Sequence, residues 1–267
     1  MERESVFEAE LYLWSMQTVQ FIGIIPARYA SSRFPGKPLV EISGKTMIRR
    51  VVEQALQSKM LSRVIVATDD ERIEAEVRYF GGEVVMTSPE HPSGTDRCAE
   101  VVRILGSAVH SNAVIINIQG DEPFIDPGQI DVLCDCFSNE QVELGTLVRR
   151  FSYGEDVLNP NTIKVVRDIH GYGIYFSRLP IPFERDAPQG KLPDLTAHFQ
   201  HIGLYGYRAA TLLHVASLAP SSLELTEKLE QLRWIENGYR IMTALSEHES
   251  WSVDTPEDLK KIESRFV

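Results

Sequence analysis

Arg28, Arg33 and Lys37 crowd three positive charges into one short segment, PARYASSRFPGKPL (26–39), with the hydroxyls of Ser31 and Ser32 between them. A guanidinium neutralises phosphate oxygens through a planar fork and an ammonium does so as a point charge. Consecutive backbone N–H groups around two small residues add a concave anion seat. A polyphosphate is the ligand such a segment suits, and a solvated basic loop is the plain alternative. The spacing matches neither the glycine pattern of a dinucleotide fold nor a Walker A run. A second polar cluster, QGDEP (119–123), breaks out of the apolar run AVIINIQ (113–119). Asp121 suits a Mg2+ ion shared between carboxylate and phosphate oxygens, against the alternative of a simple Gly/Pro turn. A third cluster is VDTPED (253–258), where Asp254 offers a second carboxylate for the same ion. Alternatively, Asp254 or Thr255 only caps the helix that Pro256 opens.

These groups need rigid supports, and the hydrophobic pattern supplies them. VQFIGII (19–25), RVIVAT (63–68), residues 83–86 and AVIINIQ read as strands. Between them, apolar residues recur at helical spacing over 47–59, 70–80 and 95–105, and Pro127 opens a further helix. Alternating strands and helices predict an α/β fold with a mostly parallel, Rossmann-like sheet covered by helices on both faces. Ligands bind such sheets beyond the carboxyl ends of the strands, where PARYASSRFPGKPL and QGDEP stand. The alternation stops near residue 150. Residues 162–167 and 172–176 then read as a hairpin, 203–207 as a strand, 223–237 as a helix, 240–245 as a strand and 256–266 as a terminal helix. The Pro-, Gly- and charge-rich stretch 183–197 reads as a mobile loop. We expect one domain over 19–267, with a smaller, mixed, β-rich part inserted around 151–208, and residues 1–18 as an N-terminal extension outside it.

The chain of 267 residues carries a formal net charge of −11, which disfavours nucleic acid as a partner because phosphate backbones demand clustered Lys and Arg. Cys98, Cys134 and Cys136 have no disulfide-framework spacing, and Cys134 and Cys136 read as helical residues near the core. There is no apolar run of roughly eighteen residues, so no membrane span is expected. The acidic start, with no apolar stretch behind it, reads as cytoplasmic rather than secreted.

Seven segments in order resemble one family: IIPARYASSRFPGKPL (24–39), HPSGTDR (91–97), NIQGDEP (117–123), YFSRLPIPF (175–183), HIGLYGYR (201–208), LEQLR (229–233) and VDTPEDL (253–259). They resemble the CMP-KDO synthetases, the 3-deoxy-manno-octulosonate (KDO) cytidylyltransferases of Gram-negative envelope synthesis, over roughly residues 20–265. Asp96 departs from the expected Glu, and residues 1–18 have no counterpart. The resemblance implies transfer of CMP from CTP to KDO, with Arg28, Lys37, Asp121 and Asp254 as the catalytic set. Arg28, Ser31 and Lys37 would hold the CTP phosphates, with Arg33 nearby. Ser93, Arg97 and Gln119 would face the cytosine or ribose. Asp121 and Asp254 would ligate Mg2+. Arg178, His201, Tyr205, Glu230 and Gln231 would hold the sugar, Arg178 pairing with its carboxylate. It also implies a homodimer built partly on the hairpin at 162–176. Two alternatives remain: a cytidylyltransferase for another acidic sugar, such as 8-amino-KDO or sialic acid, and a non-catalytic nucleotide-sugar binder.

Overall fold

The computed structural model describes residues 19–30, 34–152, 155–186 and 197–266, so the N-terminal extension and most of the stretch expected to be a mobile loop lie outside the described residues. The chain runs through β1 (Phe21–Ala27), a 3-10 turn (Lys37–Leu39), a small ribbon of β2 (Glu41–Ile42) and β3 (Lys45–Thr46), α1 (Met47–Ala55), β4 (Arg63–Thr68), α2 (Glu71–Tyr79), β5 (Glu83–Met86), α3 (Gly94–Leu105), β6 (Val114–Asn117) and α4 (Pro127–Asp135). It continues through β7 (Leu144–Arg150), β8 (Lys164–Arg167), β9 (Tyr172–Ser177), β10 (Phe199–Arg208), α5 (Ala209–Val215), α6 (Ser222–Glu227), α7 (Gln231–Glu236), β11 (Ile241–Leu245) and α8 (Pro256–Phe266). Side-chain caps start several of these helices. Asp70, Ser93 and Asp126 accept the N–H groups of Arg72, Asp96 and Gly128, and Pro127 follows its cap at the first helical position.

One sheet carries the strand order β5-β4-β1-β6-β10-β7-β11-β9-β8. From β5 to β6 it is parallel throughout. Strand β10 then lies antiparallel to both β6 and β7, and β9 lies antiparallel to β11 and β8. The sheet is therefore mixed: beyond its parallel first half, only β7 and β11 pair in parallel among the described residues. Parallel neighbours need a crossover, usually helical. Strand β10 instead follows the excursion through β8 and β9, with no helix among the described residues of that connection, and inserts between β6 and β7 from the opposite direction. The β8–β9 hairpin forms as expected, and Phe199 and Gln200 of β10 also pair with β8.

Two cores sandwich the sheet. On one face, Phe21, Ile25, Val64, Val66, Val114 and Ile116 pack under α1, α2 and α4. On the other, Ile22, Ile24, Ile65, Ala67, Ile115 and Tyr207 pack under α3, α5 and α7. Alternate residues of each strand go to opposite cores, which is why the central strands read as continuous apolar runs. A third, small cluster (Ile42, Met47, Val253 and Ile262, with Phe34, Phe124, Trp251 and Leu259) fastens the chain's C-terminal part to the segment after β1.

The helix expected over 223–237 is two helices. Lys228 takes the left-handed conformation (φ 55°) and ends α6, and Glu230 sits at the N-cap of α7. The apolar periodicity runs across the break because Leu223, Leu229 and Leu232 all face the same core.

Candidate active site

The charged end of the site forms where three distant segments meet. Gly36, at φ 72°, turns the chain so that its N–H donates to the Tyr29 carbonyl at 2.9 Å, closing the loop after β1. Lys37 follows. Its Nζ donates to Asp121 Oδ2 at 2.7 Å and lies 3.5 Å from Asp254 Oδ1. Asp121 stands just beyond β6 in a loop pressed so closely on β1 that a Cβ at Gly120 would lie 2.7 Å from the Pro26 carbonyl oxygen. The Val253 N–H donates to the Asp121 carbonyl at 2.9 Å and places Asp254 alongside. Thr255 makes the helix cap, accepting the Asp258 N–H at 3.2 Å, and Asp254 turns its carboxylate to Lys37 instead. Arg28 is exposed, with Nη1 3.5 Å from the His91 carbonyl. Ser31 and Arg33 lie outside the described residues.

Next to Asp121, Glu122 turns inward. It is 6 % exposed and accepts a hydrogen bond from Ser250 Oγ at 2.8 Å. Burial pushes its carboxyl up to about 7, and the neighbouring Asp121 charge adds to the rise.

The other end of the site is neutral and buried. At the start of α3, Ser93 Oγ lies 2.6 Å from Asp96 Oδ2 and 3.0 Å from Glu230 Oε1, and Thr95 Oγ1 donates to Glu230 Oε2 at 3.0 Å. Burial raises the Glu230 pKa, and the two hydroxyls act against that rise. Gln119 Nε2 donates to the Gly203 carbonyl at 2.8 Å, inside an irregularity of β10. The pairing with β7 there passes from Ile202 directly to Tyr205, skipping two residues. An even insertion keeps the side-chain alternation in step, so His201 and Tyr205 share a face with ring centroids 5.3 Å apart. Thr146 Oγ1 lies 2.8 Å from the Leu204 carbonyl, 3.1 Å from the Ile202 carbonyl and 3.0 Å from His201 Nε2. The hydroxyl has one proton and two carbonyls to satisfy, so the His201 Nε2 donates and its Nδ1 is the acceptor. Burial holds this imidazole down to about 3, hence neutral. Tyr205 Oη, Gln231 Nε2 and Trp234 Nε1 are buried with no hydrogen-bond partner among the described residues. Tyr205 and Trp234 meet edge to face at 5.2 Å. Buried polar atoms are nearly always satisfied, so these three, among the described residues, stand out as exceptions.

The family model described as Cytidylyltransferase matches residues 22–242. The chain is 51 % identical to the 3-deoxy-manno-octulosonate cytidylyltransferase of Cytophaga hutchinsonii, over 91 % of this chain and 96 % of that relative. It is 48 % identical to the enzyme of the same name from Thermodesulfovibrio yellowstonii, again over 91 % and 96 %. This chain belongs to the cytidylyltransferase family. A solved structure of CMP:2-keto-3-deoxy-manno-octonic acid synthetase complexed with CTP superposes with a TM-score of 0.83 at 39 % identity, covering 92 % of this chain and 97 % of that one. A 4-diphosphocytidyl-2C-methyl-D-erythritol synthase, at 14 % identity and a TM-score of 0.61, covers 92 % of this chain and 98 % of its own and shares the fold alone.

Two expected ligand contacts of this cytidylyltransferase take other places. Arg97 is 1 % exposed, and its guanidinium donates to Thr87 Oγ1 at 2.5 Å and Asp69 Oδ2 at 3.2 Å. A desolvated guanidinium must have partners, and Thr87 and Asp69, just past β4, supply them. Arg178 was expected to grip the sugar carboxylate. Its guanidinium instead donates to the carbonyls of Glu227 at 2.7 Å, Pro160 at 2.9 Å and Lys228 at 3.3 Å. It braces the α6–α7 break, where carbonyls freed by the ending of a short helix need donors. Lys164, fully buried, does similar work on the carbonyls of Asn159, Thr162 and Arg178. Sequence reading missed Asp69, Thr95, Glu122 and Ser250. Glu122 and Asp69 carried the available signal, a carboxylate at the carboxyl end of a strand.

Proposed function

We propose that this chain transfers CMP from CTP to the anomeric hydroxyl of KDO and releases pyrophosphate. The observation that carries the chemistry is the Lys37 ammonium seated between Asp121 and Asp254, which brings a cation and two carboxylates from three distant segments to the carboxyl end of the sheet. The hydroxyl oxygen bonds to the α-phosphorus as the bond to the β-phosphate oxygen breaks. Such a reaction asks the protein for alignment and charge stabilisation. Lys37 and Arg28 neutralise the triphosphate. The neutral end binds the sugar, with Tyr205 and Gln231 donating to its oxygens and His201 accepting from a hydroxyl. A histidine held near 3 does not take the attacking hydroxyl's proton. Glu230 spans the two halves, because its hydroxyl partners Ser93 and Thr95 open α3 at the nucleotide side.

Among the described residues, no group of three or more His, Cys, Asp or Glu could hold a metal by itself. Asp121 and Asp254 offer hard oxygen donors that already enclose a cation, the Lys37 ammonium, and this fits a Mg2+ ion whose remaining ligands are substrate oxygens and water. Bound there, Mg2+ would stabilise charge on the phosphate oxygens and acidify the attacking hydroxyl.

The protein also works as a homodimer in this reading. Ile169, Ile174 and Leu179 on and after the β8–β9 hairpin are 95 %, 57 % and 71 % exposed, more apolar surface than a lone hairpin usually shows to water. Sedimentation at micromolar concentration should give twice the chain mass, and a monomer mass overturns this part. No helix of the described residues is long and apolar enough to cross a membrane. The decisive experiment is pyrophosphate release from CTP with KDO, 8-amino-KDO or sialic acid in turn. Release with KDO far above the other two is the expected result. Preference for another sugar reassigns the substrate, and no release with any of them leaves a binding protein.

A further inference from the structure

The segment between β11 and α8 carries Asp254, yet the residues from 246 to 255 form neither helix nor strand. Its position depends on a seam to the stretch just after β6. Gln129 Nε2 donates to Ser246 Oγ at 3.2 Å and to the His248 carbonyl at 3.3 Å, and His248 Nδ1 lies 3.3 Å from Asp126 Oδ2. Ser250 Oγ donates to Glu122 Oε2 at 2.8 Å, and the Val253 N–H donates to the Asp121 carbonyl at 2.9 Å. Trp251 and Val253 pack against Phe34, Met47 and Phe124. Within this seam Glu122 differs from the rest. It is a buried acid placed directly beside Asp121, and burying a carboxyl is costly unless its hydrogen bond is needed. The two adjacent acids divide the work. Asp121 faces Lys37, and Glu122 turns away to hold Ser250, four residues before Asp254.

We propose that the Glu122–Ser250 hydrogen bond is a positioning latch, which docks residues 246–255 so that Asp254 stands beside Asp121 in the reacting arrangement. The proposal rests on the reading that Asp121 and Asp254 form the acidic pair. Glu122 is a positioning residue: it touches neither substrate, and it acts through the placement of Asp254.

The test compares E122A, S250A, the double variant and E122Q in the full chain. Each is assayed for kcat and both KM values with CTP, KDO and Mg2+, and for backbone hydrogen exchange over peptides covering 246–262. Exchange reports local opening of hydrogen-bonded backbone whether or not the enzyme turns over. For E122A and S250A we expect faster exchange across 246–255, a kcat lower by roughly tenfold, and KM values for CTP and KDO within about twofold of the parent. The double variant should be no worse than either single one, since both remove the same bond. E122Q keeps an acceptor for Ser250 and should restore exchange protection and most of the activity. Unchanged exchange in both single variants overturns the latch, as do additive losses in the double variant. Loss of kcat in E122Q with normal exchange overturns it too, by making the charge itself the working feature. Should E122A fail to fold, S250A alone decides through the same two readouts. D254N, run alongside, separates the two readings: full activity in D254N removes the acidic pair, while the exchange data still decide whether Glu122 docks the segment.

Discussion

The charged end and the neutral end of the site are built by opposite rules. At Lys37, Asp121 and Asp254, groups that are partly open to water satisfy one another with full charges. At Tyr205, Gln231 and Trp234, buried neutral groups are left unsatisfied. The first arrangement stores strong electrostatics that a triphosphate and its counter-ion can take over at little reorganisation cost. In the proposed function the second would gain discrimination, because unpaired buried polar atoms penalise a ligand that does not complete them. The two ends should therefore fail differently when perturbed.

The largest effect is expected at the charged end. Asp121→Asn should fold normally and lose activity by about a hundredfold or more, as expected when charge stabilisation is removed. Pyrophosphate release measures this, and excess chelator should reproduce it in the parent. Full activity in either case would show that the charged end does not work by charge.

Arg178→Ala should next show itself as instability. Removing a guanidinium that donates to three carbonyls should cost on the order of 2 kcal/mol. Thermal unfolding is expected to shift clearly downward while the KM for CTP holds. An unchanged melting temperature with a sharply raised KM for the sugar would return Arg178 to the sugar carboxylate.

Tyr205→Phe tests the neutral end with the opposite signature. Its hydroxyl has no hydrogen-bond partner among the described residues, so stability should hold or rise slightly. The KM for the sugar should rise by roughly tenfold, the worth of one good hydrogen bond to a ligand. A loss of stability with the sugar KM unmoved would mean that the hydroxyl is an internal group and the neutral end is ordinary core.

Glu230→Gln should give a smaller effect whose size depends on pH. The folded carboxyl is raised above its ordinary value by burial. Its ionised form is therefore less favourable in the folded chain than in the unfolded one, a cost present at neutral pH. That cost fades as pH falls through the raised folded value and vanishes below the ordinary glutamate value. Denaturant titrations should find the variant slightly more stable than the parent near pH 7.5 and no different near pH 4. A variant less stable at neutral pH would make Glu230 a structural anchor.

How legible this was depended on the kind of interaction. The first half of the sheet could be read directly, since β1, β4 and β6 are buried on both faces and so appear as uninterrupted apolar runs. The charged residues could be read as well, because Lys37 and Asp121 sit in polar clusters at the ends of such runs and Asp254 sits just before the proline that opens the last helix. The second half could not. The placement of β10 between β6 and β7 is a long-range pairing that leaves no local trace, and neither does its two-residue skip. The α6–α7 break was hidden because an apolar stripe continues through it.

The amino-acid sequence by itself determined the family, the parallel half of the fold and the polar clusters at the strand ends, because those depend on local periodicity and on residue types that stay polar wherever they land. Only the tertiary structure decided which oxygens each cation meets. Arg28, Lys37, Arg97 and Arg178 all read as cations in the sequence. What separates them is which oxygens the folded chain brings within hydrogen-bond reach: carboxylates across an open cleft for Lys37, Asp69 and Thr87 in the interior for Arg97, and the unpaired carbonyls of a broken helix for Arg178.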